Sequence, residues 1–181
     1  VTTGLLRARG AGKVWHLGPE RDLGIYQGAG VGLVEMEASE LVVCTGLFDD
    51  TTETPETYRD TLAAMKARDL TMICANPDIV VERGGELIWC AGALAEAYQA
   101  IGGEAIWCGK PHRPLYEAAF AKAAELRGAP AEPGRFLAIG DALRTDLAGA
   151  LGVGIDCLFI AGGIHAGELG LERSGTIDRK A

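Results

Sequence analysis

The stretch Cys108-Gly109-Lys110-Pro111, followed about thirty residues later by Ile139-Gly140-Asp141-Ala142-Leu143-Arg144-Thr145-Asp146, sets how this chain reads. In both places a short apolar run, Ala105–Cys108 or Arg135–Ile139, ends and a charged residue follows at once. Each run reads as a strand. Between them, Pro111–Leu126 reads as a helix, with Leu115, Tyr116, Ala119, Phe120, Ala123 and Leu126 as its apolar face. In open α/β sheets, ligands bind outside the carboxyl ends of the strands, which is where Lys110 and Asp141 fall. If the two strands are neighbours, both side chains reach one crevice. An ammonium there can neutralise a phosphoryl oxygen or a carboxylate nucleophile. A carboxylate there can hold magnesium, which takes oxygen ligands and keeps several waters. Asp146 opens a short helix expected over 146–151, where the helix N-terminus favours its charge. Singly, these residues read as a solvated lysine, a Gly-Asp turn and a helix cap. Together they point to a phosphate-and-magnesium site.

The rest of the chain alternates in the same way. A helix tail over Val1–Arg9 is punctuated by Gly10-Ala11-Gly12, and Lys13–Leu17 reads as a strand ending at Gly18-Pro19. Gly24–Gly32 reads as loop; its Gly28-Ala29-Gly30-Val31-Gly32 lacks the strand–turn–helix context that a nucleotide cradle needs. Glu40–Cys44 is a buried-type strand, and a helix starts at Thr54-Pro55-Glu56 with Tyr58, Leu62 and Met65 as its stripe. With the strand Thr71–Cys74 this makes a β-α-β unit with a parallel pair. Glu82–Gly85 reads as a turn before a short strand, Glu86–Trp89; an alanine-rich helix, Ala91–Ile101, is closed by Gly102-Gly103. After 139 come a strand at Ile155–Ile160 and a last short helical piece behind Gly162-Gly163, and from Gly170 the pattern fades into a frayed tail. The alternation predicts α/β with a mostly parallel sheet.

Composition narrows the partners. The 181 residues carry a net charge of −8, with a pI near 4.9, so no basic stripe exists to displace counterions from nucleic acid. The longest apolar runs, Leu41–Cys44 and Ile155–Ile160, are far too short to span a bilayer, and no secretion signal opens the chain. The five cysteines, at 44, 74, 90, 108 and 157, show no CxxC spacing and read as buried reduced thiols of a cytoplasmic protein. Of the histidines, His112 reads as a partly exposed first-turn residue, and His16 and His165 as structural. Trp15, Trp89 and Trp107 read as core.

Gly109-Lys110-Pro111 with Gly140-Asp141-x-x-x-Thr145-Asp146-x-x-Gly149-Ala150 resembles motifs three and four of the haloacid dehalogenase-like (HAD) phosphatases. The subgroup it resembles is class IIA, which includes nitrophenyl-phosphatase-like and pyridoxal-phosphate-phosphatase-like enzymes. Ala75-Asn76-Pro77-Asp78 and Cys90-Ala91-Gly92-Ala93-Leu94 resemble that subgroup's large cap domain. The resemblance implies a partial Rossmann-like HAD core with an inserted α/β cap of C2 type. Residues 1–12 would end an N-terminal core segment or linker, 13–104 would form the cap, and 105–181 the C-terminal part of the core. It further implies Mg2+ as cofactor, a small-molecule phosphate ester as substrate, and pairing into homodimers. Lys110 would steady the nucleophile and the transferring phosphoryl group, Asp141 would ligate magnesium and Asp146 would support that site. Asn76 and Asp78 fall where the cap would meet substrate; an Asn-Pro turn at a strand end is the equal alternative for them.

One part of the family pattern is missing. Neither the first motif, Asp-x-Asp-Gly-Thr/Val, nor a Ser/Thr second motif is found, and in the family both precede the cap. Asp49 and Asp50 offer no substitute, since Phe48 and Thr52 occupy the positions two before and two after Asp50. Val1 in place of Met leads us to expect that the natural chain extends upstream and supplies the nucleophile. Phosphomonoester hydrolysis demands accelerations of up to ~10²¹-fold, so the 181 residues alone are expected to be inactive. The reading from another class is a non-catalytic α/β binding or interaction module that has lost the nucleophile.

Overall fold

The computed structural model describes residues 1–10, 12–83, 86–163, 165–167 and 169–170. The expectation of a frayed tail lies outside these residues, as does the end of the expected turn at 84–85. The chain divides into two compact units, Val1–Gly109 and Lys110–Ala181. The sequence-based boundary after 104 thus lies five residues before the observed division. The reason is visible in the sheet, where the strand at 105–107 is hydrogen-bonded into the first unit.

In chain order the first unit contains α1 (Thr2–Arg9), β1 (Lys13–Leu17), β2 (Gly32–Leu33), β3 (Leu41–Cys44), α2 (Arg59–Ala67) and β4 (Thr71–Cys74). It continues through β5 (Val80–Arg83), β6 (Glu86–Trp89), α3 (Ala91–Ala100) and β7 (Ala105–Trp107). Five strands form one sheet in the order β2-β1-β3-β4-β7, every neighbouring pair parallel. Residues of β3 and β4 are apolar on both sides because both faces of the sheet are covered. Val42, Cys44, Met72 and Cys74 pack with Leu62 and Met65 of α2 and with Leu94 and Tyr98 of α3. Leu41, Val43 and Ile73 turn the other way, onto Leu6 of α1.

Local chemistry explains the details. Gly10 closes α1 in the left-handed region at φ 62°. Thr54 and Thr57 form a reciprocal capping box, and a 3₁₀ turn over Pro55–Tyr58 leads into α2, which therefore starts later than the sequence suggests. The glycine stretch before β3 is loop only in part. Glu20–Tyr26 is 3₁₀, Gly28 O accepts from Arg7 Nε at 2.9 Å, and Gly32 joins β1 as a parallel partner. β5 and β6 form a separate antiparallel hairpin. Its first strand is short and bears charges at Glu82 and Arg83, so it escapes a reading by apolar runs.

The second unit has α4 (Arg113–Arg127), β8 (Leu137–Gly140), α5 (Ala148–Val153) and β9 (Asp156–Phe159). β8 and β9 pair in parallel as a two-stranded sheet. β7 and β8 lie in different sheets, so the neighbour-strand premise for Lys110 and Asp141 is not met. α4 begins at Arg113 behind His112, with Pro114 rather than Pro111 in its first turn. Tyr116, Ala150 and Ile155 are its buried centre, flanked by Phe120 and Phe136 with ring centroids 4.7 Å apart. Although the sequence of β8 is apolar, Leu137 and Ile139 are 56% and 64% exposed, and Leu158 of β9 is 50% exposed. α4 and α5 cover one face of this sheet, and the alternate residues stand out from the other.

Candidate active site

Lys110 opens the second unit, where the chain leads through Pro111 and His112 into α4. Asp141 follows the last residue of β8, and Asp146 lies in the next turn. That turn is a single π-helical one over Leu143–Leu147, with the Leu147 N–H donating to Ala142 O at 3.2 Å. Such wide turns are frequent at functional sites. It replaces the start of the α-helix expected at 146 and turns the Asp146 side chain inward, where the residue is 7% exposed.

There Lys110 Nζ donates to Asp146 Oδ1 at 2.6 Å, and the Ala142 N–H donates to Oδ2 at 3.2 Å. Burial raises the Asp146 carboxyl, but the hydrogen bond from Lys110, the Ala142 N–H and the lysine's charge outweigh it and hold it below the usual carboxylate range. The same hydrogen bond pushes the Lys110 ammonium up, against a smaller lowering by burial; Asp141 also contributes to the upward shift. The pair is therefore fully charged at neutral pH.

Two close approaches fix this loop. A Cβ on Gly140 would overlap the Asp146 carboxylate, and one on Gly163 would overlap the Asp141 side chain. The glycine of the Gly-Asp motif thus makes room for the aspartate six residues on. In sequence, Gly163 reads only as the preface to a helical piece. A third approach, Gly149 against the Tyr116 ring and hydroxyl, seats α5 on α4. His165, expected to be structural, has its Nε2 accepting from the Leu143 N–H at 3.3 Å, so it holds the loop that carries Asp141. No spacing rule links a histidine to a backbone amide more than twenty residues away. That contact was not legible.

The other expected site residues belong to the first unit. Asn76 Oδ1 accepts from the Asp78 N–H at 3.2 Å, and the Asp78 carbonyl accepts from the Gly92 N–H at 3.0 Å, so Asn76-Pro77-Asp78 is a turn tied to the start of α3. The structure brings Lys110 and Asp146 together, with Asp141 five residues before Asp146. Asn76 and Asp78 form their own local group. Cysteine chemistry has no support: Cys44, Cys74, Cys90 and Cys108 are buried, and burial pushes the Cys74 thiol up to about 12. His16 is held between Tyr26 Oη at 2.8 Å and Pro19 O at 3.2 Å, a structural position. Trp15 and Trp107 pack on the core, while Trp89 is 38% exposed.

Among the described residues no group of three or more His, Cys, Asp or Glu is placed to hold a metal. Magnesium is bound through one or two carboxylates plus waters and substrate phosphate, so Asp141 fits as one ligand and does not make a site by itself. Asp146 is committed to Lys110.

A HAD-hydrolase-like family model matches residues 107–177. A haloacid dehalogenase-like hydrolase from Brucella suis 1330 is 47% identical, covering 97% of this chain and 67% of that one, with a TM-score of 0.76. The chain belongs to the haloacid dehalogenase-like hydrolase family. This HAD chain shares its fold with a p-nitrophenyl phosphatase from Archaeoglobus fulgidus (21% identity, 94% of this chain and 66% of that one, TM-score 0.67). It also shares it with NagD from E. coli K-12 (23% identity, 88% and 58%, TM-score 0.63). No curated protein sequence matches it. The HAD chain spans about two thirds of the length of the first of these structures and less of the others. No described helix is long and apolar enough to cross a membrane.

Proposed function

We propose that the protein to which this chain belongs is a magnesium-dependent phosphatase of class IIA HAD type, acting on a small phosphorylated metabolite through an aspartyl-phosphate. The observation that carries this reading is the Lys110–Asp146 ion pair, held at 2.6 Å beside Asp141 at the carboxyl end of a parallel strand. In this proposal Val1–Gly109 contains the C2-type cap and the second unit is the C-terminal part of the core. The nucleophilic aspartate comes from residues upstream of Val1. The half-exposed apolar face of β8 and β9 supports this, since Leu137, Ile139 and Leu158 need a covering layer that a further core segment would provide.

The residues divide the work by their chemistry. Lys110 presents a fixed ammonium to the nucleophile and the transferring phosphoryl group, and Asp146 fixes that ammonium in place. Asp141 is the carboxylate that we assign to magnesium, which when bound would offset phosphoryl charge. Asn76 and Asp78 are the residues of the first unit that we assign to substrate.

The test is phosphate release from p-nitrophenyl phosphate by the full-length natural protein with magnesium. Asp141→Ala and Lys110→Met should each lower kcat by about 10²-fold or more, the scale on which removing one charge-stabilising group acts. Unchanged kcat in both variants would reject the assignment. The lack of an Asp-x-Asp-Gly motif in these 181 residues favours a second reading for them, a binding module without catalysis. A full-length protein that lacks an upstream aspartate and releases no phosphate would decide for it.

A further inference from the structure

The first unit holds a cavity that shares only Asn76 with the residues assigned to the phosphatase chemistry. It lies at the carboxyl ends of β1, β3 and β4, has a volume of about 220 Å³, and is lined by Pro19, Arg21, Thr45, Asp50, Asn76 and Arg83 among others. The sheet order places it at a distinctive point. From β1 the chain crosses to β2 on one side, and from β3 it crosses to β4 on the other. The loops Gly18-Pro19 and Thr45-Gly46 therefore leave adjacent strands in opposite directions, which opens a crevice of the kind where parallel sheets receive ligands.

Its lining groups are not equally satisfied. Asp50, its side chain 9% exposed, accepts from Arg21 Nη2 at 2.5 Å and from Arg83 Nη1 and Nη2 at 3.2 and 3.0 Å. Its oxygens are thus largely occupied, and the bond from Arg83 foremost keeps it ionised. Thr45 Oγ1 is different: it is buried and has no hydrogen-bond partner among the described residues. A Cβ on Gly18, where φ is 153°, would overlap that hydroxyl, so the glycine leaves room for it. A buried polar atom without a partner is costly and calls for an explanation such as a ligand. The donors at the cavity are the threonine hydroxyl and the N–H groups of two guanidiniums that share one carboxylate, with Asp22 as the other acidic lining residue. Their complement is an oxygen acceptor, and a carboxylate meets a guanidinium with charge as well as geometry.

We infer that this cavity is a binding site for a small carboxylate, recognised by the Thr45 hydroxyl and the guanidiniums of Arg21 and Arg83. The inference does not rest on the phosphatase reading, because the site lies wholly within the first unit and binding requires neither magnesium nor turnover.

The experiment is a titration of the full chain at constant ionic strength with succinate, its diamide succinamide, and inorganic phosphate. The readouts are the fluorescence of Trp89, which borders the cavity, and the amide NMR shifts of Thr45 and Gly46. Saturable binding of succinate, at least tenfold tighter than succinamide or phosphate, is expected. Thr45→Val should weaken it tenfold or more and leave the ligand-free thermal midpoint unchanged or higher; Thr45→Ser should restore binding. Absence of saturable succinate binding overturns the proposal, as does equal or tighter binding of the diamide or of phosphate. A lower ligand-free midpoint in Thr45→Val also overturns it, since the hydroxyl would then already have a partner in an ordered water.

Discussion

The two units use the same parallel strand–helix grammar but finish their sheets differently. In Val1–Gly109, five parallel strands are covered on both faces, and Val42, Val43, Cys44, Met72, Ile73 and Cys74 are wholly buried. In the second unit, two strands carry α4 and α5 on one face, and Leu137, Ile139 and Leu158 remain at least half exposed on the other. The first unit has the core of an independent domain. The second has a charged site on a two-stranded sheet with one open face. Parallel sheets are found almost entirely with both faces covered, so the first unit follows the rule and the second departs from it.

The largest effects should separate the units by core truncation. Leu94→Ala or Met72→Ala, both at 0% exposure, should destabilise the first unit by about 2–5 kcal/mol. Ile139→Ala, at 64% exposure, should change stability by about 0.5 kcal/mol or less. All three tryptophans lie in the first unit, so their fluorescence in urea reports its unfolding, while amide exchange of α4 and α5 reports the second. Equal costs at the two sites would remove the contrast.

A smaller effect is expected at Gly140→Ala, whose Cβ would overlap the Asp146 carboxylate; relaxing that clash should cost about 1–3 kcal/mol in the second unit. Its signature is a shifted Lys110 Nζ resonance as the pair opens. An unshifted resonance would mean that the loop tolerates a side chain there.

The pH dependence should be smaller again, on the order of 1 kcal/mol, because Lys110 is half exposed and solvent screens the pair. The folded Asp146 carboxyl sits below its unfolded value despite its burial, chiefly through the Lys110 hydrogen bond. Its contribution is therefore complete above the unfolded aspartate value of about 3.9 and is lost as pH falls through the folded one. Amide-exchange stability of wild type minus Asp146→Asn should be constant above about pH 5 and shrink below about pH 4. A difference that grows on acidification would contradict the charge state assigned here. Lys122→Ala, which breaks only an exposed pair with Glu125, should change stability by about 0.5 kcal/mol or less.

How much the sequence disclosed follows the same division. The strands of the first unit were legible because burial on both faces makes runs such as Leu41–Cys44 continuously apolar. The β5–β6 hairpin was not, because Glu82 and Arg83 break the apolar run of its first strand and the expected turn began inside it. The place of β7 was also missed: a strand's sequence does not state its neighbours, and pairing with β4 moved the division from 104 to 109. At the site, Lys110, Asp141 and Asp146 were named from motif spacing, and the 2.6 Å pair brings two of them together by a route the spacing did not specify. The contacts of His165, Gly163 and Gly149 depend on how loops return in space, and no local pattern carries that information.

The central claim is that Lys110, Asp141 and Asp146 are part of a phosphatase site whose nucleophile lies upstream. It is tested most directly by assaying p-nitrophenyl phosphate hydrolysis with magnesium for the 181-residue chain and for the full-length natural protein, each with Asp141→Ala. The account predicts magnesium-dependent phosphate release by the longer protein, lost in Asp141→Ala, and none above background from the 181 residues. Release by the 181-residue chain, abolished by Asp141→Ala, would contradict it.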